Sequence, residues 1–438
     1  MRQLFDFCHR LTQAGSMTTT RRTGLADDLT DLQPDAVGAT PAASGFQLGV
    51  RHRPDVTVVP RTTSEVRTAV RAASDRGLPV TVLASGHGTR DGACGGVLID
   101  TRRLDSVAID PVARTARVGA GVRWGAVVEA AEAHGLRPPS GSFPGVGAIG
   151  YTFGGGIGLV ARSDGWATDH VRAFEVVDAS GSGSVTADSD PAAFARLRGS
   201  GPAPGEVVTA MTIGLLPAGP LTGGALVHDL GAVGEPGDPA ALHAFHEWTR
   251  DLPDDVTAGM SVVPYPDRDV IPPALRGRRV ARIAIVVRGD AAAAGRLVAP
   301  LRSAVRPRHD TVGPLRPTDG HRVHAEPADP HAYTGDNVLV DDLAADGLDA
   351  VATLDGPMTV VGIRHLGGAL ARPADVPDTV DGRNAGYLVS ALAPLDPEQA
   401  IDDPAGAVAA ADPTRALGPF ASRRTGTNRA FAFGPRPS

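Results

Sequence analysis

Apolar and polar positions alternate through "RPDVTVVP", residues 53–60, and the run closes at Pro60. That period of two predicts a short strand. The period then lengthens. In "TTSEVRTAVRAASDRGLPVTV" Val66, Ala69, Val70 and Ala73 share one helical face. Thr62 and Glu65 have the spacing of a capping box, and Gly77 supplies a stop. "LPVTVLA" then predicts a buried strand, so residues 55–84 read as a β-α-β unit. Three more strands are predicted at 96–100, 106–110 and 114–119, with Asp110-Pro111 marking a turn. "RWGAVVEAAEAHGL" is an amphipathic helix ending at Gly135. A glycine-rich loop follows over 140–158. "VRAFEVVDASGSGSVTAD" predicts a hairpin turning at 180–184, and "EVVTAMTIGLLP" a further alternating strand.

Pro217 and Gly219 suggest a boundary, beyond which the texture changes. Strand-like runs such as "VARIAIVVRG" alternate with Ala-rich helical runs at 240–250 and 290–305. This predicts an α+β second domain with an antiparallel sheet. Residues 1–45 are polar and read as a flexible leader with a short helix.

Composition narrows the function classes. The chain has 438 residues, 42% hydrophobic and 21% charged, which allows two or three packed domains. Net charge is −7, so no global basic field points to nucleic acid or an anionic membrane as partner. Every basic residue is arginine, which excludes a phosphate loop built on lysine. Cys8 and Cys94 are too few for a disulfide framework or a zinc site, and a cytoplasmic location is the expectation. The N-terminus lacks a secretory h-region, and Met17 offers a second start. No run approaches the roughly 18 apolar residues of a membrane span.

Two glycine-rich stretches carry the candidate chemistry: "ASGHGT", residues 84–89, and "SGSFPGVGAIGYTFGGGIG", residues 140–158. Glycines permit close backbone approach, and successive N–H groups can cradle a pyrophosphate. The same glycines can equally serve tight turns. The second stretch lacks the strand-to-helix placement and the later acidic residue of a Rossmann fingerprint. His87 is either a chemical group presented on a turn or only a turn residue.

At 52–181 the match to a known pattern is nearly continuous. "HRPDVTVVPRTTSEVRTAVRAASDRGLPVTVLASGHG", "GGVLIDTRRLDSVAIDPVARTARVGAGVRWGAVVEAAEAHGL" and "PPSGSFPGVGAIGYTFGGGIGLVARSDGWATDHVRAFEVVDASG" follow in order. Weaker matches continue in "HAEPADPHAY" and "IRHLGGALARP". The chain resembles the flavin-binding oxidases of the vanillyl-alcohol oxidase and berberine-bridge-enzyme type, in their bacterial branch. The resemblance implies a two-lobed FAD-binding domain of the PCMH type over 46–219. A substrate domain over 220–425 and a tail over 426–438 would follow.

It also implies roles. His87 would carry FAD through the flavin 8α-carbon, a neutral imidazole being a suitable nucleophile. Phe143 stands where doubly linked members carry a cysteine, so the link would be single. Ala84, Ser85, Gly86, His87, Gly88 and Thr89 would hold the pyrophosphate and flavin. Gly147, Gly150, Tyr151, Gly154, Gly155 and Gly158 would line the other side, with Val208 beside the adenine. The implied activity is oxidation of an alcohol, amine or sugar-like group of a small molecule, in secondary metabolism, with molecular oxygen taking the electrons.

Two features depart from the family pattern. "LRGSGPAPGEVVT" replaces a glycine-asparagine loop, with Pro202 and Pro204 removing backbone donors. The family's return segment to the flavin pocket is expected to be missing after "PFASRRTGTNRAFAFGPRPS", with Phe431 at the position of its asparagine. These departures also admit a degenerate member with a non-redox cyclase, isomerase or binding role. For the catalytic base, Tyr333, Tyr387 and His365 are the candidates, each also readable as a packed core residue, with His321 and His324 beyond them. The histidine spacing of "HRVHAEPADPH" does not make a zinc signature, so no metal is expected.

Overall fold

The computed structural model describes residues 45–355 and 358–435, together with Leu25, Leu29, Leu32 and the Val37–Gly38 strand. Val37–Gly38 (β1) pairs antiparallel with Val56–Val58 (β2). Helix α1, Thr63–Asp75, follows. The Thr62 hydroxyl accepts the Glu65 N–H and the Glu65 carboxylate accepts the Thr62 N–H, completing the capping box. Val66, Ala69, Val70 and Ala73 are all buried, as their spacing predicts.

Strands β3 (Val80–Leu83) and β4 (Val97–Asp100) complete a four-stranded sheet in the order β1-β2-β4-β3. The crossover from β2 through α1 to β3 exists, but parallel β4 lies between the two strands. This corrects the reading of 78–84 as a buried strand. β3 is an edge strand, only its Leu83 is buried, and Val82 is 41% exposed. The central position belongs to β4, all four residues of which are buried.

Next come β5 (Val107–Asp110), β6 (Thr115–Gly119), α2 (Trp124–Glu132) and α3 (Ala148–Phe153). β7 (Val171–Asp178), β8 (Gly181–Val185) and β9 (Val207–Gly214) follow. A five-stranded antiparallel sheet runs β5-β6-β9-β7-β8. Two expectations change here. The glycine-rich stretch is not wholly a loop, because α3 lies inside it. The Gly/Ser run is not the hairpin turn but strand β8. The Asp178 carboxylate accepts the N–H groups of Ser180 and Gly181 and closes the turn earlier. Leu25, Leu29 and Leu32 are buried in the core that joins both sheets; the rest of the expected leader helix lies outside the described residues.

Past Leu215 the chain builds one large antiparallel sheet. Its elements are β10 (Leu221–Ala232), α4 (Ala240–Thr249), β11 (Val256–Pro264), β12 (Arg278–Arg288) and α5 (Ala291–Ala304). They continue with β13 (Tyr333–Val340), α6 (Ala345–Ala352), β14 (Val360–His365), β15 (Tyr387–Pro394) and β16 (Arg424–Gly426). The order is β10-β12-β11-β14-β15-β13-β16, with short strands at 309–310 and 313–314 also on β10. Alternation divides its faces. Met260, Val262, Ile283, Ile285, Val361, Ile363 and Val389 pack with Leu242, Phe245, Val298 and Leu348 of the helices. Each such side chain contributes about 1.5–3 kcal/mol of burial. On the opposite face Leu339 and Leu388 pack with Ile157, Ala161 and Trp166 of the N-terminal part. The architecture is the α+β arrangement that the patterning predicts.

The tail, over its described residues, packs on both parts of the chain. β16 pairs with β13, Asn428 is buried against Asn337, and Phe433 bonds to Gly335. A Cβ at Gly154 would stand 2.2 Å from that of Ala430. Residues 424–433 thus touch both the large sheet and the N-terminal part. Among the described residues no helix is long and apolar enough to cross a membrane.

Candidate functional site

The turn after β3 carries His87, and a second segment holds it in place. Phe46 N–H donates to Ser85 O and Gln47 N–H to Gly86 O. Gly45 and Gly86 meet back to back: a Cβ on Gly86, whose φ is +73°, would stand 2.5 Å from Gly45 Cα. Glycine is therefore required on both strands of the contact. The contact lays the Phe46 ring on the His87 imidazole, with centroids 3.9 Å apart and planes 11° apart. Phe143 packs edge-on at 5.4 Å. Gln47, buried, donates its Nε2 to Tyr333 O at 2.7 Å and accepts Tyr333 N–H at 3.3 Å, tying this segment to β13.

His87 is set chemically by Ser85. The Ser85 Oγ accepts the Gly147 N–H at 2.9 Å and lies 3.0 Å from His87 Nδ1. Nδ1 thus has the Ser85 hydroxyl as its partner, and which of the two donates follows from the ring tautomer. Burial, with smaller effects from Arg123 and His331, lowers the His87 pKa to about 4. The imidazole is thus neutral at neutral pH. Its Nε2 is buried with no partner among the described residues.

The face of the large sheet that meets the N-terminal part carries a polar row. Arg282, Ser261, Gly362, Ser390 and Asn337 are direct neighbours across β12, β11, β14, β15 and β13. Arg364 stands in the next row, opposite Gly259. Above them lies the short helix His321–His324, ended by Ala325 in the left-handed region at φ +54°. Burial, then Arg364 and Arg282, lower the His324 pKa to about 3. Tyr151, on α3, has a buried hydroxyl without a partner among the described residues; burial raises its pKa. A cavity of about 750 Å³ opens beside Phe143 and Pro144, walled by Arg282, Leu315, His321 and Glu326. Glu326 accepts the Ser142 hydroxyl at 2.5 Å, bridging the two parts of the chain.

The three expected bases do not share this site. Tyr333 lies at it, but its hydroxyl donates to His87 O at 2.5 Å and burial raises its pKa. Tyr387 points to the helix-covered face with Val389 and Ala391. His365 pairs with Tyr387 and shares the parity of Val361 and Ile363. Strand β14 thus turns Arg364, not His365, toward the site. His324 and Arg364 are the functional candidates in their place. Phe46, Gln47, Arg282 and Ser390 were not singled out from the sequence, since nothing local marks them.

The expected cofactor residues divide. Ser85, Gly86, His87 and Gly88 form the turn, Thr89 closes it by bonding back to Gly86, and Ala84 leads into it from β3. Gly147 bonds Ser85 Oγ, and Gly150 and Tyr151 belong to α3 beside it. Gly154, Gly155 and Gly158 are close-packed against Ala430, Trp166 and Pro139. They are glycines because protein occupies the space a side chain would need. Val208 is a core residue on β9, buried with Val177 and Phe174.

Residues 54–186 match the FAD binding domain family. An FAD-dependent monooxygenase of Fusarium proliferatum is 33% identical over 208 residues, 46% of this chain and 39% of its own length. The (R)-6-hydroxynicotine oxidase of Paenarthrobacter nicotinovorans is 32% identical over 174 residues, 39% of this chain and 38% of its own. The sequence matches thus span about two fifths of the length of these curated relatives. In structure, a berberine bridge enzyme variant superposes with a TM-score of 0.75 at 16% identity, covering 93% of this chain and 88% of that one. The chain shares that fold.

The FAD binding domain match spans the His87 turn and α3, and the residues there fit the cofactor. The N–H groups of Gly86, His87 and Gly88 have no acceptor among the described residues, which suits a pyrophosphate. A Cβ at Gly88 or at Gly150 would meet nothing within 4 Å, so both edges are open to a ligand. His87 Nε2 and Tyr151 Oη are buried polar atoms awaiting partners. Among the described residues no group of His, Cys, Asp or Glu is arranged to hold a metal.

Proposed function

We propose that the chain is an FAD-dependent oxidoreductase that oxidises an alcohol, amine or sugar-like group of a small molecule and passes the electrons to molecular oxygen. Bound FAD supplies a centre that accepts a hydride. The observation that carries the reading is the His87 turn: a neutral imidazole, pinned at Nδ1 and unpaired at Nε2, beside a run of free N–H groups inside a matched FAD binding domain. The names of the relatives, a monooxygenase and an oxidase, support the class.

The chain's own residues divide the remaining work. His87 tethers the cofactor by a single covalent bond. Gly86 to Gly88 orient its phosphates. Phe46 and Phe143 exclude water from the imidazole. His324, neutral, half-buried and under the influence of Arg364 and Arg282, accepts the proton that the substrate loses.

The test is direct. Purified protein is expected to be yellow, and the colour is expected to stay with the acid-precipitated chain. His87→Ala is expected to release the colour to the supernatant. Colourless protein that takes up no added FAD would overturn the proposal. Colour that stays with precipitated His87→Ala would remove the covalent assignment alone.

A further inference from the structure

The arginines of this chain are mostly matched to carboxylates where they are buried. Arg137 pairs with Asp164, Arg279 with Asp355 and Arg198 with Asp169. Arg282 and Arg364 break that pattern. Both are half-buried on the sheet face that meets the N-terminal part, and neither has a carboxylate within ion-pair distance among the described residues. Arg282 donates to Val323 O at 3.0 Å and Arg322 O at 2.6 Å. Carbonyls orient a guanidinium without cancelling its charge. Arg364 stands 5.2 Å from the centroid of the Phe431 ring, which likewise leaves the charge in place.

The two residues lie two strands apart, on adjacent rows, about 10 Å across the sheet. Their electrostatic effects converge on His324. Between their strands the floor is Ser261, Gly362 and Gly259, residues too short to reach either guanidinium's charge. Of the acids that wall the cavity, Asp319 pairs with Arg322 at 3.5 Å, while Glu326 accepts the Ser142 hydroxyl and keeps its charge at the rim beside Phe143. Arg282 walls the cavity and is oriented by its two carbonyls, and Arg364 stands on the same sheet face one row on; two guanidiniums without a carboxylate partner above small residues suit a planar or tetrahedral oxyanion.

We propose that the substrate of this site carries an oxyanion, a carboxylate or a phosphate ester, held by Arg282 and Arg364. The proposal rests on the reading of this cavity as the substrate site of an oxidoreductase. It also explains how His324 becomes a useful base. Burial is the larger cause that holds down the basicity of His324, and the two positive charges add to it; an anion held by the arginines removes that second contribution and makes the base stronger when the substrate is present.

The test is calorimetric titration of the purified full chain with benzoate, phenyl phosphate and benzamide. The aromatic scaffold suits the Phe143, Pro144 and Leu315 wall. One of the two acids is expected to bind at least about tenfold more tightly than the neutral amide. Which acid binds separates a carboxylate from a phosphate ester. Arg282→Met and Arg364→Met are each expected to abolish the preference for the acid over benzamide. If either variant fails to fold, the lysine variants are used, and an intermediate loss is expected because lysine keeps the charge but not the fork. Equal binding of acid and amide, or a preference that survives in both variants, overturns the proposal. Heat does not depend on colour. A colourless protein that keeps the preference overturns the oxidoreductase reading and leaves the anion site standing; a yellow protein without the preference does the reverse.

Discussion

The hydroxyl of Tyr333 donates to the backbone carbonyl of His87 at 2.5 Å, across a sequence separation of 246 residues. This bond joins the first strand position of β13 to the turn that presents the imidazole. A hydroxyl spent on a carbonyl and raised in pKa by burial is a structural strut, not a proton acceptor. Tyr333→Phe is expected to cost about 0.5–1.5 kcal/mol of stability. Turnover is expected to stay within about tenfold of the parent, where loss of a general base would cost about a hundredfold or more. Urea unfolding and steady-state rates measure the two effects separately.

Ser85 links the two glycine-rich stretches, because one hydroxyl takes the Gly147 N–H and serves His87 Nδ1. Ser85→Ala removes the partner of His87 Nδ1, so the ring is no longer held, and leaves the Gly147 donor unsatisfied. The expected result is a smaller fraction of flavin retained in the acid-precipitated protein, with about 1–3 kcal/mol of lost stability. Ser85→Thr, which keeps the hydroxyl, is expected to restore most of the retained colour.

His87, His324 and His365 are held neutral in the folded state, with pKa values lowered to about 4, about 3 and about 3. The ordinary value is 6.5. Between those limits the unfolded chain binds more protons than the native one, so stability is full well above pH 6.5 and falls as the pH drops. The slope approaches about 1.4 kcal/mol per pH unit for each histidine. Urea midpoints at pH 7.5, 6.5, 5.5 and 4.5 are expected to fall slightly over the first interval and steeply thereafter. A flat series down to pH 4.5 would contradict neutral burial.

How far the sequence revealed this molecule depends on the range of the interaction involved. The α1 capping box and the Gly77 stop are settled within a few residues, and the structure places them where the spacing predicts. Strand order is not local. Nothing in "LPVTVLA" says that β4 takes the central place and leaves Val82 exposed. The polar row from Arg282 to Asn337 draws on five strands, so no window of sequence contains it. Parity is the exception. Val361 and Ile363 already imply that His365 faces the core while Arg364 faces away.

Arg137 and Asp164 form a buried bidentate pair, with contacts of 2.5 and 3.0 Å and side chains 5% and 3% exposed. Removing one partner leaves a charge stranded in the interior. Asp164→Asn is expected to destabilise by about 3–5 kcal/mol, and Arg137→Met combined with Asp164→Leu to recover much of that loss. Denaturant unfolding of the single and double variants checks both values.

Tyr387 tests whether sheet face or sequence neighbourhood decides function. It pairs with Val340, seven positions along β13 from Tyr333, which places it about 23 Å away along the strand. Its side chain also turns to the opposite face, where the hydroxyl meets Thr249 Oγ1 at 2.8 Å and the ring stacks 5.2 Å from His365. A group on the helix side of the sheet cannot reach a substrate lodged against Arg282 and Arg364. Tyr387→Phe is therefore expected to lose about 1 kcal/mol of stability, from the bond to Thr249, and to leave kcat and KM unchanged. A fall in kcat of a hundredfold, with the fold intact by circular dichroism, would return Tyr387 to the list of candidate bases and displace His324.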